Sequence, residues 1–397
     1  MSTFATAGRI VVGAGTSAQV GGLVDELGGA AGELAGAAGG VGGGSRRARL
    51  LVVAGGSADV DALTAGRDAH VWRHRGEPDV EAVRAAVAHA REVRPDVVVG
   101  WGGGSVLDLA KCVAVLAPGD SDVLDHLEVV GRGLPLPDGA LPVVAVPTTA
   151  GTGAEVTANA PVRVPERGVK ASLRGRAMLP AVAVVDPELT FGCPPALTAS
   201  SGADALTQCL EAYTTPQATP LTDPLARDGL VRAGRSLVRA VHHGDDAGAR
   251  TDLAIAALLS GMALANAKLG AVHGLAAALG GRLGAPHGQV CAAVLAATTA
   301  ANVAALRRLG DAGAAGLARY DDAAAALTGR PAARAADAVA WLAETVTALD
   351  VPGLGALGLA EKDVAAVVAD ALAASSTRGN PVTLTVEEMT DVVTASW

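Results

Sequence analysis

Four times in the first half of the chain, a run of apolar residues ends abruptly in small residues or an Asp-Pro step. The runs are RLLVVAGG at 49–56, DVVVGWGGGSVLDLAK at 96–111, PVVAVPTTAGTGAEVT at 142–157 and PAVAVVDPEL at 180–189. The apolar stretches are continuous rather than alternating, so each strand must be covered on both faces. RIVVGAG at 9–15 reads as a further short strand and turn. Helices are expected between them, over 17–36 with Ser17 as a candidate cap, and over 79–93 with Val80, Val83 and Val87 on one face. AAGGVGGGSRRAR, around 37–49, reads as a flexible connection. This alternation predicts a mostly parallel sheet with helices on both faces.

Near residue 188 the texture changes. From there on, helical segments dominate, over 198–213, 223–241, 249–267, 271–283, 289–303 and 331–348. Two domains are therefore expected, an α/β domain over 1–187 and an all-α domain over 188–397, with a ligand in the crevice between them. Aromatic residues are only 2% of the chain, so both cores must be built from Ala, Val and Leu, which favours close helix contacts.

Charge and cysteine usage narrow the class. The formal net charge is -9, and no basic tract interleaved with aromatics suggests a nucleic-acid surface. Gly, charged and polar residues interrupt the apolar stretches, so no membrane span is expected. Cys112, Cys193, Cys209 and Cys291 are scattered without a CxxC pair, which argues against a zinc knuckle or a secreted disulfide scaffold. No basic segment followed by an apolar run and a cleavage site marks the N-terminus. A soluble, reducing, cytoplasmic setting is expected. The expected partners are a small-molecule substrate and neither nucleic acid nor membrane; a homodimer stays open.

Three segments carry chemistry. Gly102, Gly103 and Gly104 follow a strand and precede a helix, with Ser105 as its expected cap. Backbone amides in such a turn can approach a pyrophosphate, although packing or turn geometry alone also explains a glycine run. Asp108, one turn into the helix, suits either a polar ligand group or the amides of the first turn. In PTTAGTGAEVT, Thr148, Thr149 and Thr152 supply hydroxyls beside Gly151 and Gly153. That loop suits a nucleotide, or it is a plain connection. In SGADALTQCLEAY, Asp204 and Gln208 share a helix face at i,i+4, and His273 and His287 lie in VHGLAAALGGRLGAPHG. Carboxylate, amide and imidazole groups together could hold a divalent ion; the same residues also suit hydrogen-bonding roles within a helical core.

With these segments in order along the chain, joined by GAGTSAQVGGLVDELG near the start, VVDPEL, and SSTRGNP near the end, the sequence resembles the iron-containing (group III) alcohol dehydrogenase superfamily, which includes maleylacetate reductases. The resemblance spans nearly the whole length. It implies an N-terminal dinucleotide-binding domain and a C-terminal helical domain in a dehydroquinate synthase-like arrangement. It also implies NAD(H) or NADP(H) as cofactor and reduction of small carbonyl compounds or oxidation of alcohols. The nucleotide would be held by Gly102, Gly103, Gly104, Ser105, Asp108, Thr148, Thr149 and Thr152. The family's metal-binding aspartate falls on Asp204, its next ligand, a histidine, on Gln208, and its last two, both histidines, on His273 and His287. A further family histidine near the reacting centre falls on Ala277. Fe²⁺ or Zn²⁺ is implied, with weak or partial occupancy because an amide replaces an imidazole.

Other departures concern specificity. The second strand ends in Ala54, Gly55, Gly56 and Ser57, with no carboxylate to repel a 2′-phosphate, so NADP(H) is permitted. Arg46 and Arg47 lie at the strand's other end. Lys268, five residues before His273, either orients an anionic substrate or is a surface residue. His273, His287 and Lys268 are the catalytic candidates. The leading expectation is a nicotinamide-dependent oxidoreductase, suited to a specialised biosynthetic pathway. The alternatives are a non-redox elimination, isomerisation or cyclisation on the same fold, or a non-catalytic ligand-binding protein.

Overall fold

The structure, a computed structural model, describes residues 3–37 and 47–397; most of the connection expected around 37–49, with Arg46, lies outside the described residues. The chain divides into two compact units. The sheet unit comprises Thr6–Thr149 and Ala154–Leu189. The helical unit comprises Thr190–Trp397, Ala150–Gly153 and the N-terminal residues to Ala5.

In the sheet unit the elements run β1 (Arg9–Val12), α1 (Val20–Ala37), β2 (Leu50–Gly55), α2 (Asp61–Thr64), β3 (Ala69–His74), α3 (Val80–Val93), β4 (Val97–Gly102), α4 (Gly104–Leu116), α5 (Val123–His126), β5 (Val143–Pro147), β6 (Asn159–Val164), β7 (Val169–Arg174) and β8 (Val182–Val185). Among the described residues, six of these strands form one sheet in the order β1-β8-β5-β4-β2-β3, all neighbours parallel. Alternate residues serve opposite faces. Leu51, Val53 and Val98 pack with α3 and α4, while Leu50, Val52, Val97 and Val99 pack with Val20, Leu23 and Val24 of α1. Burial on both sides is why these strands read as continuous apolar runs. Asp79 caps α3 by accepting from Ala82 N at 2.8 Å, and Val80, Val83 and Val87 are buried, as the sequence predicts.

The expected pattern lacks the edge strand β3, and two further features depart from it. β6 and β7 form a separate antiparallel hairpin. The 17–36 helix begins with a 3-10 turn, Thr16–Gln19, and Ser17 does not cap it with its side chain. Its backbone N–H and that of Gly15 instead donate to the Asp186 carboxylate at 3.0 and 3.1 Å.

The helical unit runs α6 (Pro195–Thr214), α7 (Thr222–His242), α8 (Ala247–Asn266), α9 (Ala271–Leu283), α10 (His287–Arg308), α11 (Ala314–Thr328), α12 (Ala335–Ala348), α13 (Val364–Ala373) and α14 (Val386–Ala395). Its core is mainly Ala, Leu and Val. α8 and α10 are long and apolar enough to cross a membrane, but 61% of each apolar window is buried inside the protein, and both contribute to this core. The sequence places the change of texture at 188; the compact units part after Leu189, and Ala150–Gly153 goes with the helices. That short segment needs small residues. Gly153 has φ +63°, and a Cβ there would collide with Gly261 of α8.

Candidate functional site

In the sheet unit, the chain steps outward from β2 to β3 and then returns to the other side of β2 as β4. In open parallel sheets, ligands bind outside the carboxyl ends of the strands at such a switch point. Gly102 ends β4 there. Gly103 is extended (φ −71°, ψ 175°) and occupies the N-cap of α4, with no side-chain cap hydrogen bond. Ser105 therefore lies inside the first turn and is not the cap expected from the sequence. The uncapped amides at the start of this 13-residue helix suit an anion. Gly102 is also needed for packing, because a Cβ would lie 2.8 Å from Val106 side-chain atoms.

The threonine loop meets the same turn. Thr148 N donates to Gly102 O at 2.9 Å, and a Cβ on Gly103 would lie 3.3 Å from the Thr149 side chain. Thr152 is exposed and belongs to the helical unit. Asp108 is 9% exposed, and its carboxylate pairs with Lys111 Nζ at 2.9 Å. The same amine donates to Ala154 O, Thr157 Oγ1 and Asn159 O at 3.0, 3.2 and 2.5 Å. Burial pushes the Asp108 carboxyl above its usual range although Lys111 opposes the shift. Asp108 thus carries an internal duty that the sequence does not signal.

Basic groups come to the end of β2 from the neighbouring strand. Arg73 Nη1 donates to Gly55 O and Ala58 O at 2.8 and 2.6 Å. The Arg75 guanidinium lies so close to Gly56 that a Cβ there would collide with it. Arg47 instead donates to Gly66 O at 2.8 Å. The signal for Arg73 and Arg75 is HVWRHR itself, once β3 is seen to pair with β2 so that Gly55 lies opposite His74.

In the helical unit, α6 supplies Asp204, Gln208 and Glu211, α9 supplies His273, and α10 supplies His287 and Cys291. One donor atom from each of Asp204, His273, His287 and Cys291 lies within 4.8 Å of all the others. Asp204 Oδ1 is 3.4 Å from His273 Nε2 and 3.8 Å from His287 Nε2, and Cys291 Sγ is 3.6 Å from His287 Nε2. Glu211, absent from the sequence expectations, orients His273. Its Oε2 lies 2.6 Å from His273 Nδ1, and its Oε1 accepts from Val272 N at 2.7 Å. With Nδ1 turned to Glu211, Nε2 faces the cluster. The signals available were spacings: Glu211 is seven residues after Asp204, and Cys291 is four after His287.

Gln208 takes a different position from a fourth ligand. Its Nε2 donates to Asp204 Oδ2 at 3.2 Å, and its Oε1 accepts from Ser260 Oγ at 2.8 Å. Asp204, His273 and Cys291 are buried. For His273, burial opposes protonation, but Cys291, Asp204 and Glu211 outweigh it and raise the pKa well above the usual imidazole range. Cys291 raises the pKa of His287 against a smaller cost of burial. Burial alone would push the Cys291 thiol up, but the two imidazoles bring it below its ordinary value. Lys268 and Ala277 are both exposed.

A family-type divalent ion fits these residues. His273 Nε2 is buried without a hydrogen bond and faces Asp204 Oδ1 at 3.4 Å, so a cation held between them would take the place of a ring proton there. Carboxylate and imidazole donors are those that iron and zinc accept.

Comparison with known proteins agrees with both halves. Residues 40–187 match the model of the iron-containing alcohol dehydrogenases, and 198–397 match that of the C-terminal part of the Fe-containing alcohol dehydrogenase family. Probable alcohol dehydrogenase EutG of Salmonella typhimurium is 43% identical over 220 residues, 55% of this chain and 55% of that protein. The chain thus spans about half the length of this curated relative. A crystal structure of 1,3-propanediol oxidoreductase superposes with TM-score 0.85 at 29% identity, covering 100% of both chains. Sulfoacetaldehyde reductase from Bifidobacterium kashiwanohense, solved in complex with NAD⁺, superposes with TM-score 0.82 at 25% identity, covering 100% of this chain and 98% of that one. The parallel sheet followed by helices, the donor cluster and the matched segments lead to one conclusion: the chain belongs to the iron-containing alcohol dehydrogenase family.

Proposed function

We propose that the protein is a nicotinamide-dependent oxidoreductase that reduces a small carbonyl compound or oxidises the matching alcohol. The observation that carries this reading is the buried donor set of Asp204, His273 and His287, with Glu211 fixing the His273 ring. A divalent cation held there supplies, when bound, a Lewis acid that polarises a substrate oxygen. The nicotinamide supplies or accepts the hydride.

The chain's residues do the rest. Backbone amides over Gly102–Ser105 bind the nucleotide's pyrophosphate, with Thr148 and Thr149 beside it. Glu211 keeps the ring proton of His273 on Nδ1. Gln208 holds Asp204 Oδ2, which leaves Oδ1 turned to the histidines. Ala277 offers no proton-transferring atom, so the proton for the alcohol product comes from solvent, a substrate group or another side chain.

Both NADH and NADPH are accepted in this reading, NADPH at least as readily. The end of β2 has no carboxylate, and Arg75 lies against Gly56 where a 2′-phosphate would be placed. Buried thiols at Cys112, Cys209 and Cys291 suit a reducing cytoplasm. Fluorescence titration of the purified protein with NADH and NADPH, alongside elemental analysis, tests the reading. Saturable binding of both nucleotides and a copurifying transition metal are expected; binding of neither nucleotide contradicts it.

A further inference from the structure

We propose that Cys291 is a metal ligand that takes over from the histidine missing at position 208, so that Asp204, His273, His287 and Cys291 together hold a zinc ion; this rests on the metal-dependent reading above. Bonds of about 2.0–2.3 Å to a tetrahedral ion set its donor atoms about 3.3–3.6 Å apart. Of the six separations, those of 3.4 Å for Asp204–His273, 3.6 Å for His287–Cys291 and 3.8 Å for Asp204–His287 are close to those edges, and all four donor atoms lie within 4.8 Å of one another.

Gln208 is poorly placed to be the fourth ligand. A carboxylate only accepts hydrogen bonds, so the amide must turn its NH₂ to Asp204 and its oxygen to Ser260. The missing i,i+4 partner on α6 is replaced by one on α10, where His287 is the first helical residue and Cys291 lies one turn later on the same face. The start of α10 is pressed against α6: a Cβ on Gly288 would collide with the Ser200 carbonyl. That approach brings the α10 pair to Asp204. Among the described residues, no other cysteine joins the donor group. Cys209 faces Ala256 O at 3.9 Å.

On binding, the Cys291 thiol proton leaves to solvent as the sulfur–metal bond forms. A thiolate favours zinc among the divalent ions suited to the remaining donors. The expectation of weak occupancy, drawn from Gln208 alone, gives way to stoichiometric zinc.

X-ray absorption at the zinc edge of the wild-type protein, with cobalt substitution, tests this without relying on turnover. One sulfur at about 2.3 Å is expected among nitrogen and oxygen donors. The cobalt protein should show a sulfur-to-metal charge-transfer band in the near ultraviolet. In Cys291→Ala that band should vanish while visible ligand-field bands persist, and zinc affinity in chelator competition should fall at least about tenfold. A zinc shell without sulfur, or a wild-type cobalt spectrum without charge transfer, overturns the role of Cys291 and leaves the metal-dependent oxidoreductase standing. No zinc or cobalt binding at all overturns both. If Cys291→Ala does not fold, the wild-type absorption spectrum still decides.

Discussion

In the proposed reading, the groups offered to a ligand at the end of β4 are backbone amides, set by the extended Gly103 and the first turn of α4. In the helical unit they are side-chain atoms carried by α6, α9 and α10. The difference decides how each site can be damaged. A backbone site fails when atoms are added, because approach is blocked. A side-chain site fails when atoms are removed, because a donor is lost. It also sets where tolerance is expected: Ser105 should need only its amide, whereas His273 should need its ring, its tautomer and Glu211 behind it.

The sharpest way to break this comparison is His273→Ala. It should lower kcat by about a thousandfold, the scale of losing a group that stabilises transition-state charge. Leaving Glu211 Oε2 without its partner should cost about 1–3 kcal/mol, so thermal unfolding should shift only modestly. Native turnover in the folded variant would remove the cluster from the chemistry. Next is Gly103→Val, with an expected rise of about a hundredfold in the Kd of NADPH by titration, since the side chain crowds Thr149 and blocks phosphate approach. Metal content should stay unchanged; an unchanged nucleotide affinity would move the pyrophosphate elsewhere.

Glu211→Gln probes whether the side-chain site depends on its supporting hydrogen bonds. Metal affinity should fall about 10–100-fold in chelator competition. An unaltered affinity would show that His273 is oriented without it. The smallest effect is expected from Arg75→Ala, which should weaken NADPH relative to NADH by about tenfold, or 1.4 kcal/mol. An unchanged ratio would mean that no 2′-phosphate reaches the end of β2.

The same contrast explains what could be read in advance. β2, β4, β5 and β8 are buried on both faces and announce themselves as apolar runs. β3, AHVWRH, is an edge strand with a half-exposed pattern, and β6 and β7 alternate, so none of the three shows such a run. α11 is alanine-rich with little periodicity. The turn between β4 and α4 was legible because glycine after a strand is itself the signal. Asp204, His273 and His287 were legible through the family pattern. Cys291 and Glu211 were not, because spacings of four and seven from another polar residue are common along helices and single out neither residue until three helices are packed.

The central claim is hydride transfer, and isotope transfer tests it directly. The protein would be incubated with NADPH or NADH carrying deuterium at either face of C4 and with a series of small aldehydes, and the alcohols analysed by mass spectrometry and NMR. The account predicts deuterium on the carbinol carbon from one face of the ring, with transfer abolished in His273→Ala. Nucleotide that binds yet passes no deuterium to any carbonyl in the series would contradict it and leave a family fold that has given up redox chemistry.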